Sequence, residues 1–370
     1  MNSNLVIIIG TKAQLIKMAP VIKELMRQKI AFKFVWTGQH QETINELLKC
    51  FGIPQPDFIW VPNTEADTKF KLFRWLFAVF IKGLKPNQAL WKKETIVIVH
   101  GDTLSAFVGA LIAKIKKAKV LHIEAGLRSF NLFNPFPEEI LRVLTSYLTT
   151  FFACSSEWAC KNAKRFSKND HYILNTYHNT LLDSTLLALQ AECKRVLPTE
   201  KYCVVSIHRV ENLNNAQRFD FILNQILSIA LKIKVIFVLH PTTKKKLEGT
   251  EWLRTLKQHS NILLEERMDY IDFCHLLNGS SFLISDGGSN QEECSYLKLP
   301  CMLMRKATER EEGLDALTEL SYYKAEKVDV FVNVYSNKAR LMLRPGEVSL
   351  AKHISPSKII VDFLVKHNAL

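Results

Sequence analysis

Several common devices are missing from this chain. No unbroken apolar run approaches the length of a membrane span. No Cys-x-x-Cys pair occurs: Cys50, Cys154, Cys160, Cys193, Cys203, Cys274, Cys294 and Cys301 stand apart, mostly among apolar residues. They read as small buried hydrophobes in a reducing compartment, which argues against both a zinc site and a disulfide framework. The opening residues Met1-Asn2-Ser3-Asn4 carry no basic cluster. The apolar run after them, Leu5–Ile9, is therefore expected to be a core strand rather than a signal peptide. Low complexity and short repeats are absent, and so is any common nucleic-acid-binding motif, so no nucleic-acid partner is expected. One long segment, 69–93, contains no acid at all.

What remains is an ordinary globular balance with an unusual charge. The 370 residues are 48% hydrophobic and 23% charged, with a formal net charge of +13. That length buries a large core and suggests two domains. The positive balance suits phosphorylated substrates or anionic lipid. Apolar runs with strand character recur at Leu5–Ile9, Phe32–Trp36, 96–99, 120–123, 151–153, Tyr202–Ser206, 235–239, 262–264, 282–285 and 301–304. Helical periodicities such as 14–27, 105–116 and 219–232 lie between them. This alternation predicts an α/β protein whose parallel sheets carry helices on both faces. It restarts near residue 201, after a polar stretch that contains Pro198. The expected plan is two Rossmann-like domains facing across a cleft: 1–175, a hinge at 176–200, and 201–354. A last helix at about 355–370 is expected to return to the first half.

The chemistry is expected at strand ends, where open α/β sheets bind ligands. The strongest stretch is His122-Ile123-Glu124-Ala125-Gly126-Leu127-Arg128, directly after an apolar run. Pro135-Phe136-Pro137-Glu138-Glu139 brings a second carboxylate into a helix, and Asp102 follows the run 96–99. Three acids at one sheet edge are costly unless they bind or react. Gly10-Thr11-Lys12 follows the first strand and opens a helix, and its start favours anions. In the second half, His208 and Arg209 follow the first strand, and His240 follows the run 235–239. Asp286-Gly287-Gly288-Ser289 is strand, turn and helix start, with Glu293 one turn in to take ribose hydroxyls. Arg305, Thr308 and Arg310 follow the next strand and suit phosphate.

Taken in order, these motifs closely resemble those of the UDP-N-acetylglucosamine 2-epimerase family. The relevant stretches are Gly10-Thr11-Lys12 with Lys17, Gly101-Asp102-Thr103, His122 to Arg128, and Pro137-Glu138-Glu139 with Arg142. His208 to Asn212, Asp286 to Glu293 and Arg305 to Arg310 complete the set. The His-Ile-Glu-Ala-Gly-Leu-Arg form is similar to the non-hydrolysing branch. The resemblance implies a glycosyltransferase-B fold, with UDP held mainly by the C-terminal domain and neither a metal nor a redox cofactor. It implies that Asp102, Glu124 and Glu138 are the catalytic acids, supported by Lys17, Arg142 and His208. The remaining residues would bind substrate: Gly10, Lys12, Arg209, His240, Gly287, Gly288, Ser289, Glu293, Arg305, Thr308 and Arg310. The implied reaction interconverts UDP-GlcNAc and UDP-ManNAc, or an analogue, through a glycal, and the product feeds surface polysaccharide. The proton on C2 is weakly acidic, so burial and mutual repulsion are expected to raise the basicity of the acids.

The chain departs from the pattern in places. Lys12 stands where the family has Arg and loses a planar fork. Ala13-Gln14 replaces Pro-Glu, and Gly287-Gly288-Ser289 replaces Ser-Gly-Gly. Gly38-Gln39-His40-Gln41-Glu42 and Val210 alter the region of an activating UDP-sugar site. The segment 69–93 carries Lys69, Lys71, Arg74, Lys82, Lys85, Lys92 and Lys93 among Phe70, Phe73, Trp75, Phe77, Phe80 and Trp91. At helical spacing its basic residues share a face. That predicts either an interfacial helix making peripheral membrane contact or a homodimer or core helix with a solvated basic stripe. The first reading supports a competing function: a membrane-associated glycosyltransferase with a lipid-linked acceptor. Both readings place a UDP-sugar enzyme in the cytoplasm, the second at the inner face of the membrane.

Overall fold

The computed structural model describes residues 4–38, 44–62, 69–133, 135–314, 316–338, 342–343 and 354–367. The chain divides into two compact units, Met1–Leu187 with Leu350–Leu370, and Ala188–Ser349. The stretch 176–200 holds the helix Leu181–Gln190, and the boundary between the units falls inside that helix.

The first unit is built on seven strands: β1 (Leu5–Ile9), β2 (Phe32–Trp36), β3 (Phe58–Ile59), β4 (Ile96–His100), β5 (Lys119–Ile123), β6 (Phe151–Cys154) and β7 (Tyr172–Asn175). They lie in the order β3-β2-β1-β4-β5-β6-β7, every pair parallel. β1 and β4 are buried along their whole length, as strands covered by helices on both faces must be. β3 and β7 escape the apolar-run reading: β3 has only two residues, and no residue of β7 is fully buried. The helix Pro356–Lys366 belongs to this unit. Asp183 accepts from Ser357 N at 2.8 Å and from Ser355 Oγ at 3.0 Å, and Phe363 packs against Phe151 and Tyr172.

The second unit carries β8 (Tyr202–Ser206), β9 (Lys234–Leu239), β10 (Ile262–Glu266), β11 (Leu283–Ser285), β12 (Cys301–Leu303) and β13 (Thr318–Leu320). Their order is β10-β9-β8-β11-β12-β13, again all parallel. Each sheet reverses its strand order once, between β1 and β4 in the first and between β8 and β11 in the second. Such reversal points open a crevice at the carboxyl ends of the strands.

The segment 69–93 is helical only over Lys69–Leu84. Pro86 ends it, because a proline disfavours helical geometry in the residue before it. Trp75 is 1% exposed and donates from Nε1 to Thr37 O at 3.1 Å. Trp75 and Val79 sit in the core with the helix Leu104–Ile115, and Leu72, Leu76, Phe80 and Leu84 pack against it. Trp75 is thus a core residue, not part of a free aromatic face. Among the described residues no helix is long and apolar enough to cross a membrane.

Candidate functional site

In the first unit the acids leave neighbouring strands. β4 and β5 pair in register, His100 opposite Ile123, so Asp102 and Glu124 emerge side by side at their carboxyl ends. The chain turns out of β4 through Gly101, whose φ of +68° suits a residue without a Cβ. Its carbonyl accepts from buried His122 Nε2 at 2.9 Å. Burial pushes the His122 imidazole below its usual range, outweighing the Gly101 bond and nearby acids that pull it up. Glu124 itself is left-handed, with φ of +66°. Strain of that kind in a non-glycine residue concentrates at functional positions.

Each of these two acids meets a cation. Glu124 is buried and paired with buried Lys17, from the helix Lys12–Arg27. Asn179 Nδ2 donates to the same Glu124 oxygen, and His100 Nε2 lies 3.9 Å from it. Arg142, on the helix Glu138–Leu148, reaches Asp102 at 2.6 Å. Each of the two carboxylates is thus set directly against a cation from another element. Glu138 is half-buried in the first turn of its helix. The neighbouring Glu139 is fully buried and organises the surroundings. It accepts from Arg128 Nε at 2.6 Å and from the Ser129 and Phe130 amides at 3.0 and 3.3 Å, and Arg142 lies 3.4 Å away. Burial alone would raise the Glu139 carboxyl. The Ser129 amide, Arg128 and Arg142 outweigh it, and the net shift is downward.

Gly10 and Lys12 stand at the exit of β1. The helix there closes with a capping box: Gln14 Oε1 accepts from Gly10 N at 2.9 Å and Thr11 N at 3.2 Å, while Gln14 Nε2 donates to His100 O at 2.8 Å. The departure to Gln14 keeps the cap. With Gln14 N donating to Thr11 Oγ1 at 3.2 Å, the box occupies the Thr11 and Gln14 amides, two of those an anion at this helix start would otherwise use. Lys12 is half-buried. Residues 39–42 of the altered activating loop lie outside the described residues.

In the second unit the exits of β8 and β11 are tied together by Asp286, which is fully buried. It accepts from the amides of His208 at 2.9 Å and Arg209 at 3.0 Å, and from Asn212 Nδ2 at 2.9 Å. Asn212 in turn donates to Met304 O and accepts from the Tyr323 hydroxyl. His208 Nδ1 lies 3.4 Å from Asp286, and its ring is 5.4 Å from that of His240, the cap of Pro241–Leu247. Burial lowers the His208 imidazole against the pull of Asp286. The Arg209 and Arg267 guanidiniums push it the same way.

The helix Gly288–Tyr296 starts at Gly287 with no side-chain cap. A Cβ on Gly287 would lie 2.8 Å from His208 Cε1, and one on Gly288 would lie 2.9 Å from Arg310 Nε. Both glycines are thus fixed by close approach. Ser289 is half-buried in the first turn. Glu293 is buried and accepts from Asn290 Nδ2 at 2.9 Å. Arg310 pairs with buried Glu292, Arg305 with Glu309 at 2.8 Å, and Arg209 with Glu211 at 2.7 Å. Thr308 donates to Gln291 at 2.7 Å, and Gln291 donates to the carbonyls of Arg310 and Glu312. This loop and the helix start form one network, with each arginine already beside an acid.

Sequence reasoning missed Asn179 and Glu139 as site residues. Glu139 lay inside a recognised motif, but Asn179 lies in none and becomes visible only through its contact with Glu124. Among the described residues no group of three His, Cys, Asp or Glu side chains is arranged to hold a metal ion.

The sequence model of a family described as UDP-N-acetylglucosamine 2-epimerase matches residues 23–338. A UDP-N-acetylglucosamine 2-epimerase from Methanocaldococcus jannaschii is 30% identical over 356 residues, which covers 92% of this chain and 94% of the relative. The crystal structure of that organism's UDP-GlcNAc 2-epimerase in complex with UDP-GlcNAc and UDP superposes with a TM-score of 0.80 at 29% identity, covering 98% of this chain and 99% of the other. The Neisseria meningitidis UDP-GlcNAc 2-epimerase bound to UDP-GlcNAc gives a TM-score of 0.78 at 28% identity over the same shares.

Proposed function

The chain belongs to the UDP-N-acetylglucosamine 2-epimerase family, and from that premise we propose that it interconverts UDP-GlcNAc and UDP-ManNAc, or a close analogue, for surface polysaccharide synthesis. The observation that carries the reading is the pair of carboxylates leaving adjacent parallel strands, Asp102 and Glu124, each beside a buried cation. One carboxylate removes the C2 proton. The C1–O bond to UDP breaks, and its electron pair leaves with the diphosphate as a C1=C2 glycal forms. A proton returns to C2 on the opposite face, and UDP adds again at C1.

Asp102, Glu124 and Glu138 are assigned the proton transfers, with Lys17 and Arg142 holding the carboxylates in place. The nucleotide falls to the second unit. There the uncapped start of Gly288–Tyr296 suits a diphosphate, Glu293 suits the ribose hydroxyls, and Arg209, Arg305, Thr308 and Arg310 suit phosphate. His208 is assigned to the diphosphate as a cationic support, since a bound diphosphate favours its charged form. The fold and family carry the isomerase reading; a glycosyltransferase acting on a lipid-linked acceptor is not favoured. We place the enzyme in the cytoplasm at the inner face of a membrane. A homodimer is the competing use of the same helix, and the experiment below separates the two.

Proton NMR of UDP-GlcNAc in deuterated buffer tests the reaction. Deuterium entering C2 with the appearance of the manno sugar is the expected result. Tight UDP binding without any exchange at C2 would remove the epimerase reading.

A further inference from the structure

The helix Lys69–Leu84 has two different apolar sides. One is core, as Trp75 and Val79 show. The other is open: Phe70 is 70%, Phe73 68% and Phe77 62% exposed, and Ile81 is also exposed. These four residues fall at i, i+3, i+7 and i+11, so they form one stripe along the helix. Aromatic side chains exposed in this way are seldom left without a partner. Beside the stripe, on the same outward half of the helix, stand exposed Lys71, Arg74 and Lys82, with Lys85 just past its end. The Arg74 guanidinium lies 5.9 Å from the centre of the Phe70 ring. The helix contains no acid.

We propose that this face docks the protein onto an anionic lipid surface. The phenylalanines enter the headgroup and upper acyl region, and the adjoining basic row meets lipid phosphates. Charge decides the occupant. A second copy meeting this face about a two-fold axis would bring its own basic row against the first with no acid in either helix to answer it, and such like-charge contact is penalised. A phosphate-bearing surface answers the whole row, and the net charge of +13 adds a long-range pull toward it. The inference stands whatever sugar the site handles, because none of these residues belongs to the proposed chemistry.

Flotation of the full chain with vesicles tests it, comparing phosphatidylglycerol mixed with phosphatidylcholine against phosphatidylcholine alone. The wild type should float with the anionic vesicles only, and should be released at about 1 M salt, where the screening length falls to about 3 Å. Phe73→Ser with Phe77→Ser should lower flotation even at low salt. Arg74→Glu with Lys82→Glu and Lys85→Glu should lower partitioning by roughly a hundredfold, the scale for three basic side chains at such a surface. Neither set should alter melting temperature or sugar turnover, since every changed side chain is exposed. Two results would overturn the proposal: a wild type that stays with the soluble fraction at low salt, or a halving of the solution mass by the phenylalanine changes in sedimentation, which would mark the stripe as a self-association surface.

Discussion

The exits of the two sheets share a topology but handle charge in opposite ways. At β4 and β5 the acids meet cations carried by other elements: Lys17 for Glu124 and Arg142 for Asp102. These are side chain to side chain pairs, and a ligand with its own charges can compete for either member. At β8 and β11 the acid Asp286 is held by two backbone amides and Asn212. Two of those three donors are main-chain amides, which move only with the turn itself. The contrast separates a reactive set of charges from a structural one: a carboxylate that must take up and release a proton is better held by movable partners, and one that fixes a loop by backbone.

The largest effect should come from the reactive set. Glu124→Gln should cut turnover by about 10²–10⁴-fold, the usual share of a positioned acid–base group. UDP affinity by calorimetry should stay nearly unchanged, and near-normal turnover would dissolve the contrast. Asp286→Ala should act on stability instead. It leaves two amides and a buried Asn212 donor without their acceptor, a cost of about 3 kcal/mol in chemical unfolding. Asp102→Ala should cost clearly less, because Asp102 is half-exposed and its partner Arg142 keeps Glu139 nearby. Equal losses from the two would show that the first set is structural too.

A smaller effect is expected at the nucleotide. Glu293→Ala should weaken UDP binding by about 1–3 kcal/mol, the scale for a lost charged hydrogen bond. Calorimetry reads this directly, and unchanged affinity would remove Glu293 from the ribose site. The smallest effect is in pH. His122 and His208, one in each unit, both have folded pKa values below the ordinary 6.5. Between the folded values and 6.5 the unfolded chain binds more protons, so stability is full above 6.5 and falls as pH drops through that window. Unfolding curves from neutral pH to about pH 5.5 should show the decline. His122→Gln should flatten it more than His208→Gln, since His122 is fully enclosed and His208 is half-exposed. An unaltered slope in His122→Gln would assign the decline elsewhere.

Much of the architecture was legible beforehand because parallel strands buried on both faces must be continuous apolar runs. β1, β2 and β8 begin and end where the runs do. β13 was not legible: Thr318–Leu320 is short and carries a glutamate, so its pairing with β12 comes from its position at the sheet edge, not from its composition. The strand-end acids were legible as motifs, but their partners were not. Nothing local links Lys17 to Glu124 across 107 positions, or Asn179 to Glu124 across 55.

The helix Lys69–Leu84 shows where the division falls. Its sequence determined that it would be apolar on most sides, basic on one and free of acid. Which aromatic residues reach solvent could not follow from spacing, because Trp75 and Phe77 are equally good at being buried. Packing against Leu104–Ile115 decided it, placing Trp75 at Thr37 O and turning Phe73 and Phe77 outward. Periodicity fixes which residues share a face of a helix. Only the neighbouring element, by covering one face, fixes which of them meets water.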